Sequence, residues 1–85
     1  MIRVRSVGHI RTSLGRDVVE LDEKTITSGA MIEKLRAIAG GDPRLGFTKF
    51  NTLIVVNGGE VYSAAEDRAL EDGDEVLLLP FSHGG

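Results

Sequence analysis

Hydrophobic and polar residues alternate at the start of the chain. In "IRVRSVG", Ile2 and Val4 fall on one face and Arg3, Arg5 and Val7 on the other, the period of a half-buried strand. After "TSLGR", whose Gly15 suits a turn, "DVVELD" reads as a second strand, and the short connection predicts a hairpin. The period then changes to that of a helix. Thr27 or Ser28 can cap it, Ile32, Leu35, Ile38 and Ala39 form one stripe, and Gly40 with Gly41 ends it. "GDPRLGFTKFN" follows as an irregular connection broken by Asp42, Pro43 and Gly46. "TLIVVNGGEVYS" is the clearest local signal: a strand, an Asn57-Gly58 pair that tolerates the positive backbone angles of a tight hairpin turn, and a short returning strand. "AAEDRALEDGD" predicts a brief helical turn ending in Gly73, and "EVLLLPF" a closing strand, because Pro80 is tolerated only near a strand end or edge.

The order is therefore strand, strand, helix, strand, short strand, strand, with no internal repeat, linker or low-complexity segment. One helix has one sheet face to cover, and no other apolar layer is available. The closing strand fits most economically in the middle of the sheet, parallel to the first, across a helical crossover. The expected class is α+β: a ubiquitin-like β-grasp, a mixed sheet of four to five strands packed on one main helix. The expected organisation is a domain over residues 1–81 and a flexible tail over 82–85 that ends in Gly84-Gly85.

Composition narrows the function. A chain of 85 residues, 41% of them hydrophobic, has material for one small core. No apolar run approaches the roughly 20 residues that cross a bilayer, and the amino end lacks the pattern of a signal peptide, so a soluble cytoplasmic protein with no membrane partner is expected. The absence of cysteine removes disulfides, thiolate metal sites and thiol nucleophiles together. The net charge is −3, and acids gather late in the chain at Glu66, Asp67, Glu71, Asp72, Asp74 and Glu75. A nucleic-acid binder would show a basic stripe with stacking aromatics, and Arg3 and Arg5 are too few to supply one. Gly58 and Gly59 are turn residues rather than a phosphate loop, since neither a strand-to-helix transition nor a lysine follows them.

The segment "LEDGDEVLLLPFSHGG" carries the most specific signal. Together with the opening strand and the "VVNG" hairpin, it resembles the MoaD and ThiS sulfur carriers and the related archaeal ubiquitin-like small modifier proteins, over essentially the whole chain. The "PFSHGG" ending departs from the Pro-Pro-Val-Ser/Ala-Gly-Gly-like tail of bacterial MoaD chains. His83 before the glycines is reminiscent of the eukaryotic ubiquitin-related modifier that also carries sulfur. The resemblance implies a protein that is not itself an enzyme and binds no permanent cofactor. A MoeB- or ThiF-like activating enzyme would use ATP to adenylate Gly85. The product would be a thiocarboxylate delivered to a MoaE-like subunit for molybdenum or tungsten cofactor (molybdopterin) synthesis, or an isopeptide bond to lysines of target proteins. An inert β-grasp binding module is the remaining alternative.

The physics of the tail agrees with this implication. A terminal carboxylate, with a pKa of about 3.5, is ionised at neutral pH and is a poor electrophile until activated. Glycines stabilise nothing at a chain end but pass through a narrow channel without a Cβ clash. Leu77, Leu79 and Phe81 alternate with Val76 and Leu78; if the latter pair faces the helix, the former lines the open sheet face beside Val7, as a docking patch or as ordinary sheet packing. Ser82 and His83 are candidate partner contacts within the tail. The acidic cluster suits either solvated surface or steering toward a basic partner, and His9 is read as ordinary surface.

Overall fold

A computed structural model describes residues 1–40 and 46–81. Strand β1 (Ile2–Ser6) is followed by helix α1 (Gly8–Leu14) and strand β2 (Val18–Leu21); a short β3 (Thr25–Thr27) leads into α2 (Ser28–Ile38). Then come β4 (Thr52–Val56), β5 (Glu60–Ser63), a single 3₁₀ turn over Ala64–Glu66, β6 (Ala69–Glu71) and β7 (Glu75–Pro80). Five strands form one mixed sheet in the order β2-β1-β7-β4-β5, and β3 with β6 makes a separate two-stranded ribbon. As expected, the closing strand lies in the centre: β7 runs parallel to β1, with Arg5 opposite Leu77, and antiparallel to β4, with Val55 opposite Leu77.

Alternation decides which side of this sheet is covered. Ile2, Val4, Val19, Leu21, Ile54, Val56, Val76 and Leu78 point inward and are buried, and Met31, Ile32 and Leu35 of α2 pack into the same cluster. The helical stripe differs from expectation at one end. Ile38, in the last turn of α2, is 41% exposed, while Ala39 is partly buried against the core. The packed stripe passes from Leu35 to Ala39, one turn on, and leaves Ile38 at its exposed edge. Phe47, within the stretch read as irregular, is fully buried and fills the core from the loop. Gly41, Asp42 and Pro43, read as helix end and loop breakers, lie outside the described residues.

Two connections correct the expected element list. The first hairpin does pair, with Ile2 opposite Leu21 and Arg5 opposite Val18, but a helix rather than a tight turn joins its strands. Ile10 and Leu14 sit four residues apart on one face of α1 and enter the core; Gly15 closes the helix at φ 73°, its N–H on the Arg11 carbonyl. Two apolar residues in seven give too short a period to stand out. The second correction is "AAEDRALEDGD", which contains only one helical turn and then β6, paired with β3 through Ile26 opposite Leu70. The Asn57-Gly58 turn forms as expected, with φ of 51° and 71° and the Gly59 N–H on the Val56 carbonyl.

The start of α2 is clamped by the segment that follows β5. Thr27 is the cap, its hydroxyl accepting the Ala30 N–H. Ser28, the other candidate, works across the chain: fully buried, its hydroxyl donates to the Ala64 carbonyl at 2.9 Å and accepts the Arg68 N–H at 3.1 Å. Beside it the Gly29 N–H reaches the Asp67 carboxylate at 3.0 Å, and a Cβ on Gly29 would stand 2.6 Å from that oxygen. The Arg68 guanidinium in turn stacks 4.5 Å from the Tyr62 ring centre and pairs with Glu60 and Glu66. Burial pushes the Tyr62 phenol above its usual value, Glu60 adds to that shift, and Arg68 opposes it. Replacing Ser28 with alanine strands the Arg68 N–H beside the helix. Urea unfolding of Ser28→Ala should show a loss of about 1–3 kcal/mol with an unchanged slope; a midpoint equal to that of the unaltered chain would show that the clamp contributes nothing.

Candidate functional site: the end of the central strand and the open sheet face

The C-terminal strand is the central one of the five-stranded sheet. β7 is paired with β1 as far as Leu78 and with β4 as far as Pro80, so its last two residues are held from the β4 side. Thr52 is opposite Pro80, and the Phe81 N–H donates to the Asn51 carbonyl at 2.8 Å, one bond beyond the strand. Asn51 is itself braced. Its Oδ1 accepts the Thr48 N–H at 2.7 Å and faces the Thr52 hydroxyl, which donates to the Thr48 carbonyl at 2.8 Å. On the other flank Gly8, at φ 64°, lies so close that an added Cβ would stand 3.0 Å from Pro80 Cγ. A side chain there would be strained by its backbone angle and would press on the strand end.

These contacts fix where the polypeptide leaves the sheet at Phe81, four residues before Gly85. Ser82, His83, Gly84 and Gly85, the tail candidates of the sequence reading, lie outside the described residues.

The other candidates fall where the alternation put them. Val76 and Leu78 are buried beneath α2's side of the sheet, Leu77 and Leu79 are half-buried on the opposite face, and Phe81 is 39% exposed. Leu77 and Leu79 share that face with Leu53 and Val55 of β4, their register partners, and Val55 in turn faces the exposed Val61 of β5. The sequence reading left Leu53, Val55, Val61 and Asn51 unnoticed. Alternation in "TLIVV" assigns Leu53 and Val55 to one face, but only the strand order shows that this face adjoins Leu77 and Leu79. Asn51 carries no sequence signal of its own. His9 is exposed, as read.

The acidic residues are mostly engaged in local structure. Asp74 accepts the Glu71 N–H and the Asn57 side-chain amide, and Asp72 pairs with the amino group of Met1. Glu66 caps the 3₁₀ turn; the Ser63 N–H, and after it Arg68, hold its carboxyl below the usual range. Among the described residues no group of three or more histidines and acids is placed to hold a metal ion, and no helix is long and apolar enough to cross a membrane.

No protein-family model matches the chain, and no curated protein matches it in sequence. Solved structures do. SAMP1 from Haloferax volcanii superposes with a TM-score of 0.67 at 21% identity, covering 99% of this chain and 98% of that one. The small archaeal modifier protein 1 (SAMP1) from Methanosarcina acetivorans gives 0.64 at 18% identity over 99% and 95% of the two chains. The chain has the ubiquitin-like β-grasp fold. Urm1 of Sulfolobus solfataricus shares this β-grasp more distantly, with a TM-score of 0.55 at 15% identity over 93% of this chain and 99% of that one.

The brace at Asn51 makes a prediction about the strand end of this β-grasp. Asn51→Ala keeps the carbonyl that holds Phe81 but removes the acceptor that orders the turn around it. Hydrogen exchange followed by NMR should show the Phe81 amide exchanging about fivefold faster, the result of losing roughly 1 kcal/mol of local order, with the buried centre of β7 at Leu78 unchanged. Equal rates at Phe81 would show that the turn does not hold the strand end.

Proposed function

We propose that this chain is a ubiquitin-like carrier whose working group is the Gly85 carboxylate, acted on by an ATP-dependent adenylating enzyme of the MoeB/ThiF kind. What carries the reading is the position of the diglycine in the sequence: it follows the central strand, three and four residues beyond the anchor at Phe81. Such an arrangement gives a partner a rigid body to hold and a slender segment to draw into its active site. Leu77, Leu79 and Phe81 offer the body's apolar contact, and Ser82 and His83 the first contacts along the tail.

The chemistry follows from the carboxylate. A carboxylate oxygen attacks the α-phosphate of ATP in the partner's site, the bond to pyrophosphate breaks, and an acyl-adenylate forms at Gly85. The mixed anhydride makes the carbonyl carbon electrophilic. Sulfide then displaces AMP to give the thiocarboxylate, or an enzyme thiol displaces AMP to give a thioester. The thiocarboxylate reading ends in delivery of sulfur to a precursor of the molybdenum or tungsten cofactor, in complex with a MoaE-like subunit. In this reading the protein supplies the reacting carboxylate and its presentation.

A second reading uses the same activated intermediate. A lysine ε-amine of a target protein attacks the thioester, the thiol leaves, and an isopeptide bond remains. The solved structures favour it by name, since those from Haloferax volcanii and Methanosarcina acetivorans are small archaeal modifier proteins. Both products on one tail are chemically compatible.

Activation is tested at Gly84 and Gly85. Replacing either with valine puts a branched side chain where the tail must pass the nucleotide. ATP–pyrophosphate exchange with the host's activating enzyme should fall by about a hundredfold, equivalent to roughly 2.7 kcal/mol of lost transition-state binding, while the unfolding midpoint stays unchanged. Undiminished exchange would contradict the proposal. The two products are separated by the variant His83→Arg, which lets trypsin leave a Gly-Gly remnant on any modified lysine. Branched peptides that vanish when Gly84 and Gly85 are deleted establish the modifier. Thiocarboxylate without branched peptides establishes the carrier.

A further inference from the structure

Arg3 and Arg5 sit on the same face of the same strand, two residues apart, in opposite surroundings. Arg3 has Glu20 opposite it on β2 and Glu75 opposite it on β7, and its guanidinium lies 3.7 Å and 3.8 Å from their carboxylates. Arg5 has Val18 and Leu77 at the corresponding positions. Among the described residues it makes no ion pair and no side-chain hydrogen bond.

The register extends this contrast across the whole sheet. Val18, Arg5, Leu77, Val55 and Val61 form one continuous row, one residue from each of the five strands, in which Arg5 is the sole charge. Leu79 and Leu53 lie beside the row toward the tail. Arg5, Leu77 and Val55 also line a shallow cavity of about 140 Å³, with Arg3 and Glu75 on its rim. A guanidinium beside an apolar floor is well solvated while the face is open. Once a partner covers the row, that charge loses its water and becomes strongly unfavourable unless a counter-charge arrives with the partner.

We propose that the open face binds a protein surface made of apolar side chains around one carboxylate, and that this carboxylate pairs with Arg5. The guanidinium fork matches a carboxylate in two parallel hydrogen bonds, which would set the register of docking as well as its strength. The neighbouring row decides the chemical class of the partner. Glu20 and Glu75 flank Arg3 and cancel its charge, and with a net charge of −3 the chain repels a phosphate backbone. One isolated cation in an apolar band suits one acid on an apolar protein surface.

The inference rests on the activation reading, because it describes the surface of the activating enzyme. Its test is calorimetric titration of that enzyme with the unaltered chain and with Arg5→Leu, Arg5→Glu and Arg3→Leu, each checked for an unchanged thermal midpoint. Arg5→Leu should weaken binding about tenfold and Arg5→Glu further, with Arg3→Leu within threefold of the unaltered chain. Affinity of the unaltered chain should fall with added salt, and that of Arg5→Leu should fall less steeply. If Arg5→Leu binds as tightly as the unaltered chain while exchange proceeds normally, the carboxylate partner is ruled out and the activation reading survives. If the unaltered chain is neither bound nor activated, both fail together.

Discussion

The pairing of the last strand between the first and the fourth is the constraint on which the rest depends. β7 supplies Val76 and Leu78 to the core and meets β1 on one side and β4 on the other. Without it the sheet separates into two hairpins, neither of which covers α2. An isolated hairpin is at best marginal in water, so each half needs the strand between them. The parallel contact with β1 joins residues some seventy positions apart, Arg3 with Glu75 among them. Closing so long a loop makes the final strand the keystone of a cooperative unit. The consequence is positional: Phe81, where the described chain leaves the sheet, follows directly on the strand that completes the core.

The strand end divides its support between two kinds of interaction. Gly8, Thr48, Asn51 and Thr52 hold the exit through close packing and hydrogen bonds. The open face shows a comparable division along β1, where Arg3 is settled within the fold by two glutamates and Arg5 is not. Both features arise from register. The same residue type carries an ion pair at one position and, two residues later, has no ion pair among the described residues.

Much of this was legible from periodicity. Alternation separated Val76 and Leu78 from Leu77 and Leu79, leaving to the structure which pair faces the helix, and the Asn57-Gly58 pair marked its hairpin because left-handed backbone angles restrict the residues that can sit there. The number of strands and the single main helix then left the closing strand a central place. What escaped detection is short or non-local. α1 buries only Ile10 and Leu14, and β3 and β6 are three residues each, stable through each other and through Ser28 rather than through their own pattern. Ile38 and Ala39 both have helical spacing from Leu35, and only the packing shows that Ala39 meets the core while Ile38 lies at the edge of the stripe. Asn51 acts through one main-chain carbonyl, which every residue possesses. The open face could be read as apolar on β7, whereas its extension through Val55 and Val61 and the isolation of Arg5 required the strand order.

The central claim is that the carboxylate of Gly85 is the group that reacts, and the most direct test is the intact mass of the protein purified from its own host under non-reducing, amine-free conditions. The account predicts a mixed population: the free acid together with a species in which one oxygen is replaced by sulfur, or with covalent conjugates whose masses add a target protein and subtract water. Both added species should disappear when the activating enzyme is deleted. A single free-acid species, identical in the presence and absence of an active adenylating enzyme, would contradict it and leave a β-grasp domain whose tail does no chemistry.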